Sequence, residues 1–270
     1  MKIIDCFIFY NELDLLNYRL NVLNDVVDYF ILVEATHTHA GHKKELFYDN
    51  NKSMFSKFHD KIIHVVVDDM PYKFPNINYE DKQQWANEKF QRNCGVRGLG
   101  PIPDLRRDDY IIIADLDEIP DPRILHQIKN DSVSFSVRLE VSALEMHFYF
   151  YNLHGKLPHK WYHTKIISVD KLISINRTFD DIRFVQCPII NGAGWHLSYF
   201  GDENFISNKL KNFAHQEFNN DKFTNTYKIK EKLKIGQSIF DEYMIEFAPL
   251  KTNPHLPLGY EKYLVKFITE

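Results

Sequence analysis

The sequence predicts an α/β fold, with one mostly parallel sheet flanked by helices, a mixed or antiparallel extension and a helical C-terminus. Three observations predict it. Through the first 130 residues, short apolar runs alternate with segments of helical period. The runs are apolar almost without interruption, as strands covered on both faces are. Beyond residue 130 the runs alternate or turn aromatic, the mark of more exposed, partly antiparallel strands, and from Asp202 the pattern is mostly helical.

Taken in order, "KIIDCFIFY" (2–10) reads as a buried strand. Leu13, Leu16, Leu20, Leu23 and Val27 follow at spacings of three and four, the apolar stripe of a helix. "YFILVE" (29–34) and "KIIHVVV" (61–67) are the second and third strands. A long amphipathic segment, 79–97, leads into "YIIIA" (110–114), the most hydrophobic strand. In the second half, "SVSFSVRLE", "LEMHFYFYN" and "HTKIISV" read as strands, a loop-rich stretch reaches "INGAGWHLSYF", and "ENFISNKLKNFAHQEF" is the best-formed late helix. With no repeat, low-complexity tract or linker, the chain reads as one domain, 1–270, in two halves, 1–130 and 131–270.

Hydrophobic residues make up 44% and charged residues 26%, the balance of a soluble globular chain. A formal charge of −4 and no dense Lys/Arg run argue against a nucleic-acid surface, so an anionic ligand has to be held by a few local groups or a metal. Cys6, Cys94 and Cys187 are too scattered for a C-x-x-C metal pair or a disulfide framework, and a reducing, cytoplasmic setting is expected. The opening "MKIIDCFIFYNE" reads neither as a signal peptide nor as a membrane span.

The stretch "YIIIADLDEIPDP" (110–122) carries the chemistry. Asp121 before Pro122 reads as a helix N-cap followed by proline at the first helical position. Asp115 and Asp117 need another explanation. Residues i and i+2 of an extended segment share a face, and two adjacent unpaired carboxylates repel unless a cation lies between them. Oxygen ligands on a short tether suit a hard divalent ion, Mg²⁺ or Mn²⁺, with positions left for phosphates. Their place fits too, because ligands of open α/β sheets bind beyond the carboxyl ends of the strands.

The chain resembles glycosyltransferase family 17, the group of the β-1,4-mannosyl-glycoprotein N-acetylglucosaminyltransferase. "DCFIFYNELDLLNYRL", "VEATHTHAG", "FQRN", "ADLDEIPDP" and "GAGWHLSYFG" carry the resemblance in that order across residues 5–201. It implies a GT-A-like fold with a single Rossmann-like sheet, residues 1–130 binding the nucleotide sugar and 131–270 facing the acceptor. It also implies a UDP-sugar donor, with UDP-GlcNAc expected, Mn²⁺ or Mg²⁺, inversion at the anomeric carbon and a glycan acceptor. The N-terminal anchor and stem of the eukaryotic enzyme are not read here, so Golgi residence and an N-glycan acceptor are not carried over.

Asn11 and Glu12 follow the first strand, where the resemblance implies a loop lining the nucleotide; Asn11 reads equally as the cap of the next helix. Glu34 ends the second strand, as a uracil or ribose contact or a solvated loop acid. Arg92 and Asn93 match the family's "FQRN" and imply a donor contact, although an Arg in the last helical turn also suits the helix dipole. His196 is expected as the third metal ligand beside Asp115 and Asp117, or as a pyrophosphate contact, against the alternative of a satisfied core histidine. His37, His39 and His42 lack an acid or Cys at zinc-ligand spacing and read as a mobile loop.

Inverting transfer needs one further carboxylate to deprotonate the acceptor hydroxyl. Asp181 in "RTFDDIRF" is the first choice, then Asp180 and Glu145, while Asp170 reads as a helix cap. The aromatic segment 147–163 is either an acceptor wall or packing between layers. Two other classes stay open. A metal-dependent phosphoesterase or nucleotide-sugar hydrolase could use the same acids, and a non-catalytic carbohydrate-binding protein could use the aromatic wall alone.

Overall fold

The computed structural model describes residues 1–130, 140–240 and 244–268. Its strands are β1 (Ile3–Phe9), β2 (Tyr29–Ala35), β3 (Ile62–Val67), β4 (Tyr110–Asp115), β5 (Glu118–Pro120), β6 (Val141–Phe150), β7 (Gly155–Trp161), β8 (Lys165–Ser168), β9 (Ile189–Ser198) and β10 (Glu246–Phe247). The helices that matter below are α1 (Leu13–Leu23), α2 (Gln83–Asn93), α3 (Pro122–Asn130), α4 (Val169–Ile175), α5 (Phe179–Arg183), α6 (Glu203–Asn212) and α7 (Thr226–Lys234).

The fold is α/β with a mixed central sheet. Strands β3, β2, β1 and β4 pair in parallel in that spatial order. Beyond β4 the direction changes: β8 runs antiparallel to both β4 and β6, and β7 lies antiparallel on β6. β9 then pairs in parallel with β6 and antiparallel with β5.

Alternation explains why the parallel strands read as unbroken apolar runs. Ile3, Phe7, Phe30, Leu32 and Ile112 face one core, where α1 packs Leu15, Leu16, Leu20 and Leu23. Ile4, Cys6, Ile31, Val33, Ile111 and Ile113 face the other, beneath Phe179 and Ile182 of α5. Both faces are buried, so the strands are almost wholly apolar, and the buried exceptions Asp5 and Glu34 are both paired with basic side chains. A third, aromatic cluster, with Phe148, Phe150, Tyr199 and Phe240, joins β6 and β9 to α6 and α7.

The expected first-half strands and helices all form. Apart from Glu140, "SVSFSVRLE" lies outside the described residues. Neither β5, three residues long and ending in proline, nor β7 was expected. Gly194 makes the β5–β9 contact close, since a Cβ there would stand 2.4 Å from the Ile119 carbonyl oxygen. Among the described residues no helix is long and apolar enough to cross a membrane.

Candidate active site

The acidic motif does not continue its strand. β4 stops at Asp115, Leu116 and Asp117 form a turn, and β5 begins at Glu118. Arg19 of α1, fully buried, shapes that turn: Nη1 donates to the carbonyls of Asp115 (2.9 Å), Leu116 (3.0 Å) and Glu118 (2.7 Å). Asp5 of β1 balances its charge, accepting from Nε at 2.8 Å and Nη2 at 2.6 Å. The expected pair of carboxylates on one extended face is therefore corrected. Asp117 sits in a turn, and each acid finds cations of its own.

Asp115 keeps 29% of its side chain exposed and accepts from Arg92 Nη2 and Arg183 Nη2, each at 3.1 Å. Arg92, in the last turn of α2, also bonds Asp180 (2.5 Å) and Glu88 (2.9 Å). Arg183, ending α5, forks onto Glu118 with two bonds of 2.7 Å. Glu118 is fully buried and accepts as well from Trp161 Nε1 (2.6 Å), Thr164 Oγ1 (2.8 Å) and the Asp115 N–H (2.9 Å). Burial opposes its ionisation, yet Arg183 outweighs burial and holds the carboxyl well below the usual range. Glu88 behaves alike: against burial, Arg92 and then His39 bring it to about 2.

Asp117 is 7% exposed. Its Oδ2 accepts from Lys209 Nζ of α6 at 3.1 Å, and its Oδ1 lies 3.5 Å from His196 Nε2 of β9. Lys209 also pairs with Glu12 at 3.2 Å. Burial resists ionisation of Asp117, but Lys209 and His196 hold its carboxyl below the carboxylate range. His196 stacks on Phe148 with centroids 4.4 Å apart, and its Nδ1 is buried with no hydrogen-bond partner.

Asp117 and His196 thus set a carboxylate oxygen beside an imidazole, a donor pair that suits a divalent ion completed by phosphate oxygens and water. The expected trio is not gathered. Among the described residues no three His, Cys, Asp or Glu side chains form a metal-holding group, and Asp115 is drawn to Arg92 and Arg183 instead.

The other expected residues fall in different places. Glu12, not Asn11, is the N-cap position of α1, and Asn11 Oδ1 is buried without a partner. Glu34 is fully buried, accepting from the Tyr48 N–H (3.0 Å) and paired with His64 (3.0 Å) and Lys44 (3.6 Å), which corrects both readings of it as an open acid. Asn93 accepts from the Asp180 N–H (2.9 Å) and so docks α5 on α2. His37 turns to Thr36, His39 to Gln91 and His42 to Phe74, in a loop tied by hairpin bonds.

Neither first choice for the base sits free. Asp181 is exposed and completes a capping box with Thr178. Asp180, 3% exposed, is committed to Arg92. Glu145 lies where the β6–β9 register shifts, half-buried, accepting from the Gly192 N–H (3.2 Å) and Tyr162 O–H (3.3 Å). Asp121 caps α3 as expected, accepting from the Arg123 N–H at 2.9 Å, whereas Ser168 rather than Asp170 caps α4. Of the aromatic segment, Phe148, Tyr149, Phe150 and Tyr151 are core residues, so packing accounts for most of it.

Arg19, Glu118, Arg183 and Lys209 were not anticipated as site residues. A signal existed for two of them. Arg19 and Lys209 each fall three residues after a member of an apolar stripe, Leu16 and Ile206, so a cation interrupts a core-facing row.

The model of the family described as Glycosyltransferase family 17 matches residues 1–249. The chain is similar to the "Beta-1,4-mannosyl-glycoprotein 4-beta-N-acetylglucosaminyltransferase" of Homo sapiens and of Rattus norvegicus, 32% identical over 113 residues in each case, 41% of this chain and 20% of the relative. The Mus musculus protein of that name is 31% identical over 113 residues, with the same shares of each chain. The match thus takes in 20% of the length of these curated relatives.

Proposed function

This chain belongs to glycosyltransferase family 17, and on that premise we propose that it transfers GlcNAc from a UDP-sugar to a glycan hydroxyl, with inversion, on a GT-A-like fold. One observation carries the reading: Arg92, Arg183 and Lys209 surround Asp115 and Asp117 at the carboxyl edge of β4, with His196 alongside. That edge is where open α/β sheets bind ligands. Three fixed cations there suit a diphosphate, whose charge grows as the bond to the sugar breaks. Arg92 and Arg183 offer planar forks to its oxygens, Lys209 a point charge.

Asp117 and His196 are the residues that would hold Mn²⁺ or Mg²⁺, which when bound supplies charge neutralisation for the departing UDP. Glu145 is the proposed base. The acceptor oxygen bonds the anomeric carbon as the carbon–UDP bond breaks, UDP leaves with the electron pair, and the hydroxyl proton goes to Glu145. Its hydrogen-bond partners are a hydroxyl and a backbone N–H, whereas Asp180 is engaged by the Arg92 guanidinium.

Thermal shifts with UDP, GDP and CMP, each with and without Mn²⁺, test the donor. UDP with Mn²⁺ should raise Tm most, and UDP-GlcNAc should be consumed when a glycan is supplied. Equal responses to UDP and GDP overturn the donor assignment, and undiminished turnover in excess EDTA overturns the metal. Cleavage of UDP-GlcNAc at one rate with or without a glycan would point to a hydrolase instead.

A further inference from the structure

We infer that the cleft between α2 and the turn after α6 is a second carbohydrate subsite, holding an uncharged part of the acceptor glycan away from the reacting hydroxyl; the assignment rests on the transferase reading. The cleft is open to solvent and offers about 940 Å³. That is at the upper end of the roughly 300–1,000 Å³ of small-molecule sites and gives room for more than one sugar ring.

One wall is α2 with the residues leading into it, and the other is the turn beyond α6. α2 carries Trp85 and Lys89 into the cleft and Arg92 to Asp115. α6 carries Lys209 to Asp117, and the turn beyond its end supplies Gln216 and Glu217. Lys89 of the lining also reaches Asp180, the partner of Arg92, at 3.7 Å, so the cleft adjoins the cluster through that ion pair.

The chemistry of the lining is that of sugar recognition. Trp85 is half-buried and braced edge-on by His215, centroids 4.4 Å apart. Tyr79 is 37% exposed, with its hydroxyl fixed on the Ala40 carbonyl at 2.8 Å. Braced rings give the C–H faces of a pyranose a platform at low entropic cost. Glu80 and Glu217 against Lys82 and Lys89 leave the lining formally neutral, which suits a polyhydroxyl ligand and not a second diphosphate. Gln84, 4% exposed, lines the same cleft and its Oε1 has no hydrogen-bond partner, an acceptor the protein itself leaves unsatisfied.

Saturation-transfer NMR with β-1,4-mannobiose and N,N′-diacetylchitobiose, without nucleotide, tests the assignment. At least one of these neutral disaccharides should bind the wild-type chain. Trp85→Ala and, on the facing wall, Glu217→Gln should each weaken it about tenfold. Circular dichroism and Tm show whether Trp85→Ala is folded, and the exposed Glu217 gives a variant that removes no core contact. In turnover, both variants should raise the acceptor KM about tenfold and leave the UDP-GlcNAc KM unchanged. No binding by the wild type, or wild-type binding by both variants, overturns the subsite even if UDP-GlcNAc is turned over. Disaccharide binding lost in both variants, with no response to UDP, leaves the subsite standing and removes the transferase reading.

Discussion

Arg183→Met strands a carboxylate. Glu118 is fully buried, and Arg183 supplies two of its hydrogen bonds at 2.7 Å. After the change, donors from Trp161, Thr164 and the Asp115 N–H remain, but no full positive charge touches Glu118. Breaking a buried ion pair from one side costs about 3–5 kcal/mol. Against a total of about 5–15 kcal/mol, that is a large fraction. At roughly 2 °C per kcal/mol for a chain of this size, Tm should fall by about 6–10 °C at pH 7. The pH dependence follows from Glu118, whose folded pKa is depressed. The wild type draws stability from that carboxyl above about pH 4.3 and loses it in acid. In the variant its pKa rises, so the deficit is greatest at neutral pH and narrows on acidification. Urea denaturation at pH 7 and pH 4.5 measures both, and adding Glu118→Gln should restore much of the loss. A deficit under about 1 kcal/mol at pH 7, or one that widens in acid, refutes the buried pair.

Asp117→Asn should abolish Mn²⁺-dependent UDP binding and, because Lys209 loses a partner, lower the melting temperature of the nucleotide-free protein; a rise would restore the idea of two repelling carboxylates. Glu145→Gln should cut transfer by about two to four orders of magnitude with UDP affinity unchanged, whereas Asp181→Asn should weaken only the capping-box bonds to Thr178, lower stability slightly in denaturation, and leave transfer intact. Near-wild-type transfer by Glu145→Gln removes it as the base. His147 is held neutral by burial first and then by the Lys160 ammonium 2.6 Å from its Nδ1, which together bring its pKa down to about 3. A histidine kept neutral in the fold takes its proton only on unfolding, so stability should decline as pH falls from about 6.5 toward 3. His147→Gln should remove up to about 1.4 kcal/mol per pH unit of that slope, and an unchanged slope across pH 6.5 to 4 would refute it.

The parallel half of the fold was legible because strands buried on both faces are almost wholly apolar, so "YFILV" and "YIIIA" admit no other use. Asp121 was legible because a cap is a local bargain between a side chain and the next turn. The site was only half legible for the converse reason. That Asp115 would meet Arg92 and Arg183, from positions 23 and 68 residues away, depends on how α2 and α5 cross above the sheet. Spacing carries no record of such crossings. Asp180 and Asp181 show the limit at its sharpest. Adjacent in "FDDIR", one faces Arg92 in the interior and the other caps its own helix in solvent, a division set by helical period once α5 is docked.

The acidity of the strand's mouth can be weighed as a charge balance. Glu12, Glu88, Asp115, Asp117, Glu118 and Asp180 share three basic side chains, the buried Arg92 and Arg183 and the half-buried Lys209. Lys89 and His39 contribute only looser contacts, at 3.7 and 3.8 Å. Unlike charges about 4 Å apart near a protein surface attract by about 4 kcal/mol at an effective dielectric of 20, and like charges repel on the same scale. Six acids against three bases therefore leave the site negative before any ligand arrives. A diphosphate entering alone adds charge of the same sign within the same few ångströms. It gains Arg92 and Arg183 only by competing with carboxylates that already hold them. In the proposed reaction the donor is consequently admitted in company with a divalent cation, and Asp117 is where that cation gains most, because the one lysine it holds is shared with Glu12 and its other partner, His196, can itself turn to the metal. The acids at the end of β4 then act as the reason a bare nucleotide is turned away.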